Sequence, residues 1–191
     1  MTGASMARTA ALLVATALAT CGAPPADTIV TIAPDITFAL PSPAALGGAV
    51  EARQLITARH GDQTYVFETL VSATASRLLV VGSDMLGRRA MTLTWDGRTL
   101  DIEAAAWLPP ELPARNIIAD IMLVHWPLSA VRAGLGPPAR LDAPTPDRRE
   151  VRAGDRLVIA IDGPAAGWTG RWRYHHVGYD YTLDIQSVAA P

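Results

Sequence analysis

Beyond residue 50, apolar and polar residues alternate along much of the chain with a period of two. In MTLTW, residues 91–95, Met91, Leu93 and Trp95 share one side and Thr92 and Thr94 the other. In LDIEA, residues 100–104, Leu100 and Ile102 oppose Asp101 and Glu103. Asp96-Gly97 lies between them, a pair that favours a tight hairpin turn. The pattern returns near the end. Trp172, Tyr174 and His176 alternate with Arg171, Arg173 and His175, and Tyr179, Tyr181, Leu183 and Ile185 alternate with Asp180, Thr182, Asp184 and Gln186. Gly178 separates these runs and predicts a second hairpin. Strands are also predicted over 50–59, 64–74, 77–83 and 147–162, the last interrupted by a turn at RAGD, residues 152–155. Such a pattern predicts an antiparallel sheet with one face packed and one solvated.

One stretch departs from period two. From residue 114, ARNIIADIMLVHWPLSAVRAGLG places Ile117, Ile121 and Val124 at helical spacing, with Ile118, Met122 and His125 or Trp126 beside them. Pro127 ends or kinks that helix, and a second helix beginning there can run to about Gly134. An antiparallel sheet of about ten to eleven strands must curl rather than lie flat. The expected fold is therefore mainly β: an incomplete, strongly curved antiparallel barrel whose concave face is covered by the helical insert.

The N-terminal residues carry a different signal. Arg8 is the only charge before Asp27, and residues 9–19 are small and apolar. This is the length of a signal-peptide core and too short to span a bilayer. Met6-Ala7-Arg8 would make a compact charged start. The run ends at LATC, where Cys21 is the only cysteine of the 191 residues. No intrachain disulfide is open to it. An inert buried thiol and a plain secretory signal are alternatives to lipid attachment. LATC resembles the bacterial lipobox, with Thr20 where Gly, Ala or Ser is usual. That resemblance implies cleavage after residue 20 and acylation of Cys21. Gly22, rather than Asp, follows the cysteine, and by resemblance to enterobacterial sorting rules this implies the outer membrane, facing the periplasm. Residues 21–34, beginning CGAPPAD, read as a tether, and 35–191 as one domain.

Composition narrows the function. About 170 residues remain after the signal, enough for one domain with a sizeable core. Sixteen basic residues, all Arg, face 18 acidic ones. That balance gives no electrostatic reason to expect a nucleic-acid partner.

Three stretches, LTWDGRTLDIE, IIADIMLVHWPLSAVRAGL and GRWRYHHVGYDYTLDI, resemble a bacterial lipoprotein family of unknown function. Its members are often encoded with fatty-acid-synthase-like and aryl polyene genes. The family resembles the lipoprotein carriers of the LolA/LolB type, which implies a half-barrel lidded by helices over an apolar cavity. No catalytic residues come with the resemblance, whereas the lipidated cysteine maps to Cys21.

Chemistry sought independently is sparse. GLGPPA, residues 134–139, echoes a dinucleotide fingerprint, but it follows a helix and its prolines oppose a following one. There is no GxSxG or HExxH motif. His175 and His176 point to opposite faces of a strand and do not chelate one metal together. His125 reads as a satisfied or partly exposed histidine. Asp180 and Asp184 share a strand face, where a solvated surface explains them as well as acid–base chemistry does. Trp95 and Trp172 read as core, while Trp126, at the helix kink, fits either core or cavity lining. No catalytic residue, metal or cofactor is expected, and the chain is expected to be a monomer.

Two functions remain open. One is a lipid-anchored module that binds or transfers an acyl chain, lipid or lipoprotein in an apolar cavity, with Ile117, Ile118, Ile121, Val124, Trp126 and Leu128 forming the lid. The other is a non-catalytic accessory protein of an export or assembly machine, with its concave side filled.

Overall fold

A computed structural model describes residues 28–108 and 114–189. Cys21, Thr20 and the signal segment lie outside the described residues. The Asp96-Gly97 turn forms as its sequence predicts. Asp96 Oδ1 accepts the N–H groups of Arg98 and Thr99 at 2.7 Å each. Gly97 takes φ +92°, open to glycine at no steric cost. The turn joins strands β6 (Arg89–Trp95) and β7 (Leu100–Ala104). Eight further strands extend this hairpin: β3 (Val50–His60), β4 (Gln63–Ala73), β5 (Leu78–Asp84), β8 (Ala139–Thr145), β9 (Arg148–Ala153), β10 (Arg156–Asp162), β11 (Gly170–His176) and β12 (Tyr181–Ala189). They form one ten-stranded antiparallel sheet in the order β7-β6-β5-β4-β3-β12-β11-β10-β9-β8, not closed into a barrel. The chain's two halves thus meet in the middle of the sheet, where β3 pairs with β12 from Ala52↔Ala189 to His60↔Tyr181.

The sheet curls. Leu78, Val80, Leu93 and Trp95 from one half and Val151, Ile159, Ile161 and Trp172 from the other belong to one buried core. The alternation read from the sequence sorts the faces: Trp172, Tyr174 and His176 are buried, and Arg171, Arg173 and His175 exposed. Asp180 departs from its reading. It is a turn residue with φ +53°, ahead of β12, and shares no strand face with Asp184. Asp184 lies on the outer face between Arg59 and Arg173.

Two elements cover the concave face. One is the helix pair α1 (Ala114–His125) and α2 (Leu128–Gly134), parted by Pro127 as expected. Arg149, on β9, closes the end of α1. Its guanidinium donates to the carbonyls of Leu123 (3.0 Å) and Trp126 (2.8 Å), which have no partner within the helix, and to Ala165 (3.2 Å). The other cover is a hairpin of β1 (Ile29–Ala33) and β2 (Ile36–Ala39), which reaches into the stretch read as tether. It buries Val30, Ile32, Ala33, Ile36 and Phe38. A single 3-10 turn, Pro43–Leu46, leads from it into β3. GLGPPA leads into strand β8 and not into a helix.

Trp95 and Trp172 are core, as read. Trp126 is core as well: it is fully buried and its indole donates to Ser42 O at 3.3 Å.

The hairpin lies close against the end of α2. A Cβ added at Gly134 would stand 2.4 Å from Ala39 O and 2.7 Å from Phe38 Cε2. Gly134→Ala is therefore expected to destabilise the fold by about 1–3 kcal/mol, as overpacking does. Urea denaturation measures it, and a loss below 0.5 kcal/mol, within the range of about ±0.5 for neutral surface changes, would contradict this packing.

Candidate functional site

The concave side is not filled throughout. A cavity of about 420 Å³ lies between α1 and the central strands. Its floor follows three strands. Gln54, Ile56, Ala58 and His60 come from β3, Phe67 and Thr69 from β4, and Tyr181, Leu183 and Ile185 from β12. Their pairing stacks the lining in rows: Gln54 opposite Thr69, Ile185–Ile56–Phe67, Leu183–Ala58, and Tyr181–His60. At about 3.3 Å per residue, the six steps from Gln54 to His60 make a trough about 20 Å long. Gln54 and Thr69 are buried at one end, while His60 and Tyr179 are exposed at the other. The trough thus has a closed end and a mouth. Gly82 pairs with Thr69 on one side and Met91 on the other. A Cβ there would meet Met91 Cε at 2.9 Å, so the glycine leaves room for Met91 to reach the cavity wall.

The roof is the face of α1 that carries Asn116, Ile117, Asp120, Ile121 and His125. Of the residues expected to form the lid, Ile117 and Ile121 line the cavity. Ile118, Val124 and Trp126 are buried in the core instead, and Leu128 packs against that core from α2. The most apolar face of α1 is turned to the core and a mixed face to the cavity.

Asp120 and His125 hold this mixed face. Tyr174 Oη donates to Asp120 Oδ1 at 2.6 Å and Tyr181 Oη to Oδ2 at 2.5 Å, the two rings stacked 5.9 Å apart. Burial pushes the Asp120 carboxyl up to about 7, against the pull of the two hydroxyl donors. Burial also raises both tyrosines well above their usual value, and the neighbouring carboxylate raises them further. His125 stacks on Trp168 at 3.9 Å and meets Trp172 edge-on at 4.8 Å. The amide nitrogen of Gln54 lies 2.9 Å from its Nε2, which therefore accepts, and leaves the proton on Nδ1, 3.4 Å from Gly167 O. Burial pushes His125 down to about 3, so it is neutral at ordinary pH. It is the satisfied histidine of the sequence reading. Near the mouth, His176 accepts the Tyr179 N–H at Nδ1 (3.1 Å), and its Nε2 donates to Ile32 O (2.6 Å), which ties β11 to β1. Burial pushes it down to about 4.

The sequence reading missed Gln54, Thr69, Asp120, Tyr174 and Tyr181 as a group. Alternation marked Tyr174 and Tyr181 as inward. Asp120 was visible only as the one acid in the otherwise apolar run 117–124.

An open antiparallel half-barrel, with helix α1 roofing an elongated, mainly apolar cavity, is the class this geometry defines. Residues 51–189 match the family model described as protein of unknown function, DUF3261, and the chain belongs to that family. The match runs across β3 to β12 and includes both helices, with β1 and β2 outside it. No curated protein matches the chain significantly.

Asp120 makes stability depend on pH. Its folded value lies above the ordinary 3.8, so between 3.8 and about 7 the folded state keeps a proton that the unfolded chain has lost. The resulting stabilisation is present in full below 3.8 and is lost as pH rises to about 7. His125 and His176, pushed below 6.5, act in the opposite sense and cost stability as pH falls. Comparing the wild type with Asp120→Asn isolates the acid. Relative to the variant, the wild type is expected to lose up to about 1.4 kcal/mol per pH unit across that window and nothing above it. Parallel stability–pH curves from urea titrations would show that Asp120 titrates normally.

Proposed function

We propose that this is a lipid-anchored envelope protein that binds or transfers an acyl chain, a lipid or an acylated protein in the cavity beneath α1. The carrying observation is the cavity itself: about 420 Å³, elongated, walled mainly by Ile56, Phe67, Ile117, Ile121, Leu183 and Ile185. That volume lies in the range of about 300–1,000 Å³ common for small-ligand sites. Each methylene moved from water into such a wall gains about 0.8 kcal/mol. The competing reading, an accessory protein with a filled concave side, has no use for this space. The reading assigns no reaction and no cofactor, and its resemblance to the LolA/LolB-type carriers supports it. Acylated Cys21 would hold the protein at the outer membrane, facing the periplasm.

A fluorescent fatty acid tests the cavity. Wild type is expected to bind it saturably. Ala58→Phe, which fills the trough between Leu183 and the roof, is expected to weaken binding by at least about tenfold, the loss of one or two methylene contacts and the space for more. Unchanged far-ultraviolet circular dichroism would show that the variant folds. Absence of uptake by the wild type would sink the acyl-chain reading.

Cys21→Ser tests the anchor. The variant is expected to move from the membrane to the soluble periplasmic fraction, or to keep its signal segment uncleaved. Retention in the membrane with normal cleavage would refute lipidation at Cys21.

A further inference from the structure

The closed end of the cavity holds one oxygen that acyl-chain binding does not explain. Gln54 is 1% exposed and lines the cavity from β3. Its neighbours orient its amide. Ser187 gives its one hydroxyl proton to Trp168 O at 2.6 Å, so its Oγ can only accept from the amide atom 3.3 Å away. That atom is therefore the nitrogen, and its second proton goes to His125 Nε2 at 2.9 Å. Both amide protons are then placed, and Oε1 is left without a hydrogen-bond partner among the described residues. Thr69, paired with Gln54 across β3 and β4, makes no bond to it, and its own Oγ1 is sealed from all accessible surface. Gly82, beyond Thr69 on β5, has no side chain to offer. Gln54 Oε1 is unpartnered without being sealed in that way, and its side chain points inward to the roof at His125, so the oxygen opens to the cavity.

The surroundings fix what can meet this oxygen. Its lone pairs call for a donor, so an ether, ester or ketone oxygen does not match it. An anion would face it with no arginine lining the cavity and no lysine in the chain to neutralise the charge. A cation would stand beside His125, which already feels the charge of Arg149. An amide N–H would bring its own carbonyl, and the polar groups here hold no accessible free donor for it: His125 is neutral with its proton directed to Gly167 O, and the Thr69 hydroxyl is sealed. An uncharged O–H is the group that fits.

We infer that the closed end of the cavity selects a hydroxyl at the buried tip of the ligand's chain, its O–H donated to Gln54 Oε1, while the other end of the chain stays at the mouth beside Asn116 and Tyr179. This rests on the acyl-chain reading and narrows it: the preferred ligand is an acyl chain hydroxylated at its far end.

The test uses the full chain carrying Cys21→Ser, so that no detergent competes for the cavity. Fatty acids of equal chain length, ending in a methyl, a hydroxyl or a methyl ether, compete with the fluorescent probe. Protein with Gln54 intact is expected to favour the hydroxyl-ended acid over both others by about threefold to tenfold, the worth of one net hydrogen bond. The ether separates a donor from a merely polar tip, and this comparison needs no substitution in the cavity. Gln54→Met, unbranched and without the oxygen, is expected to abolish the preference while the methyl-ended acid still binds. Equal binding of the hydroxyl and the ether, a preference for the methyl-ended acid, or a hydroxyl preference that survives Gln54→Met would overturn the inference and leave chain binding standing. If the probe itself does not bind, the acyl-chain reading fails and this inference fails with it.

Discussion

Helix α1 is kept off the middle of the sheet by polar side chains that stand between them. Asp120 rests on Tyr174 and Tyr181, and His125 on Gln54, while Arg149 fixes the helix end. Were α1 to sink onto the sheet, these groups would lose partners while buried, at about 1–3 kcal/mol for each orphaned group. They act as struts, and their lengths set the height of the roof. An apolar helix on an apolar sheet would otherwise close to contact, since protein interiors tolerate few voids. The cavity therefore depends on a small number of satisfied polar contacts, and the apolar wall takes the space they define.

The trough opens at a mouth, so its apolar wall is within reach of water. Each chain methylene that takes the place of that water along Ile56, Phe67, Leu183 and Ile185 would gain about 0.8 kcal/mol, and several together outweigh any one of the struts.

Much of the sheet was legible in the sequence because its signal is local. Alternation in MTLTW, LDIEA and YDYTLDIQ reports which face each residue takes, and glycine-bearing turns report where strands reverse. Strands β1 and β2 were not legible. They pair with each other and, through a bridge from Phe38 to Leu135, with the segment after α2, and their burial comes from α1, α2 and β11, which are distant in sequence. The helix pair was legible, and its orientation was only half so. Helical spacing selects Ile117, Ile121 and Val124 as one stripe, but spacing cannot tell a stripe against packed core from one against a cavity. Here the core takes Ile118, Met122, Leu123 and Val124, and the cavity takes Ile117 and Ile121 together with Asn116, Asp120 and His125. Polar residues on a buried helix were the trace of the site, and only their cross-sheet partners give them meaning.

The β1–β2 hairpin also changes the reach of the proposed anchor. Seven residues, Gly22 to Thr28, separate Cys21 from β1. Fully extended at about 3.3–3.6 Å each, they span at most about 25 Å, well short of what a tether continuing to residue 34 would allow. The turn of the hairpin stands beside the mouth of the cavity. Asn116, which lines the cavity, donates to Thr31 O at 3.3 Å, and His176, whose Nδ1 accepts from Tyr179, donates to Ile32 O. Thr28, where the chain toward Cys21 leaves, is at the other end of the hairpin, its carbonyl accepting the Leu40 N–H at 2.8 Å. An acyl anchor at Cys21 would therefore pull on the hairpin from the end away from the mouth, and the distance between the two is set by the length of β1 rather than by a long tether.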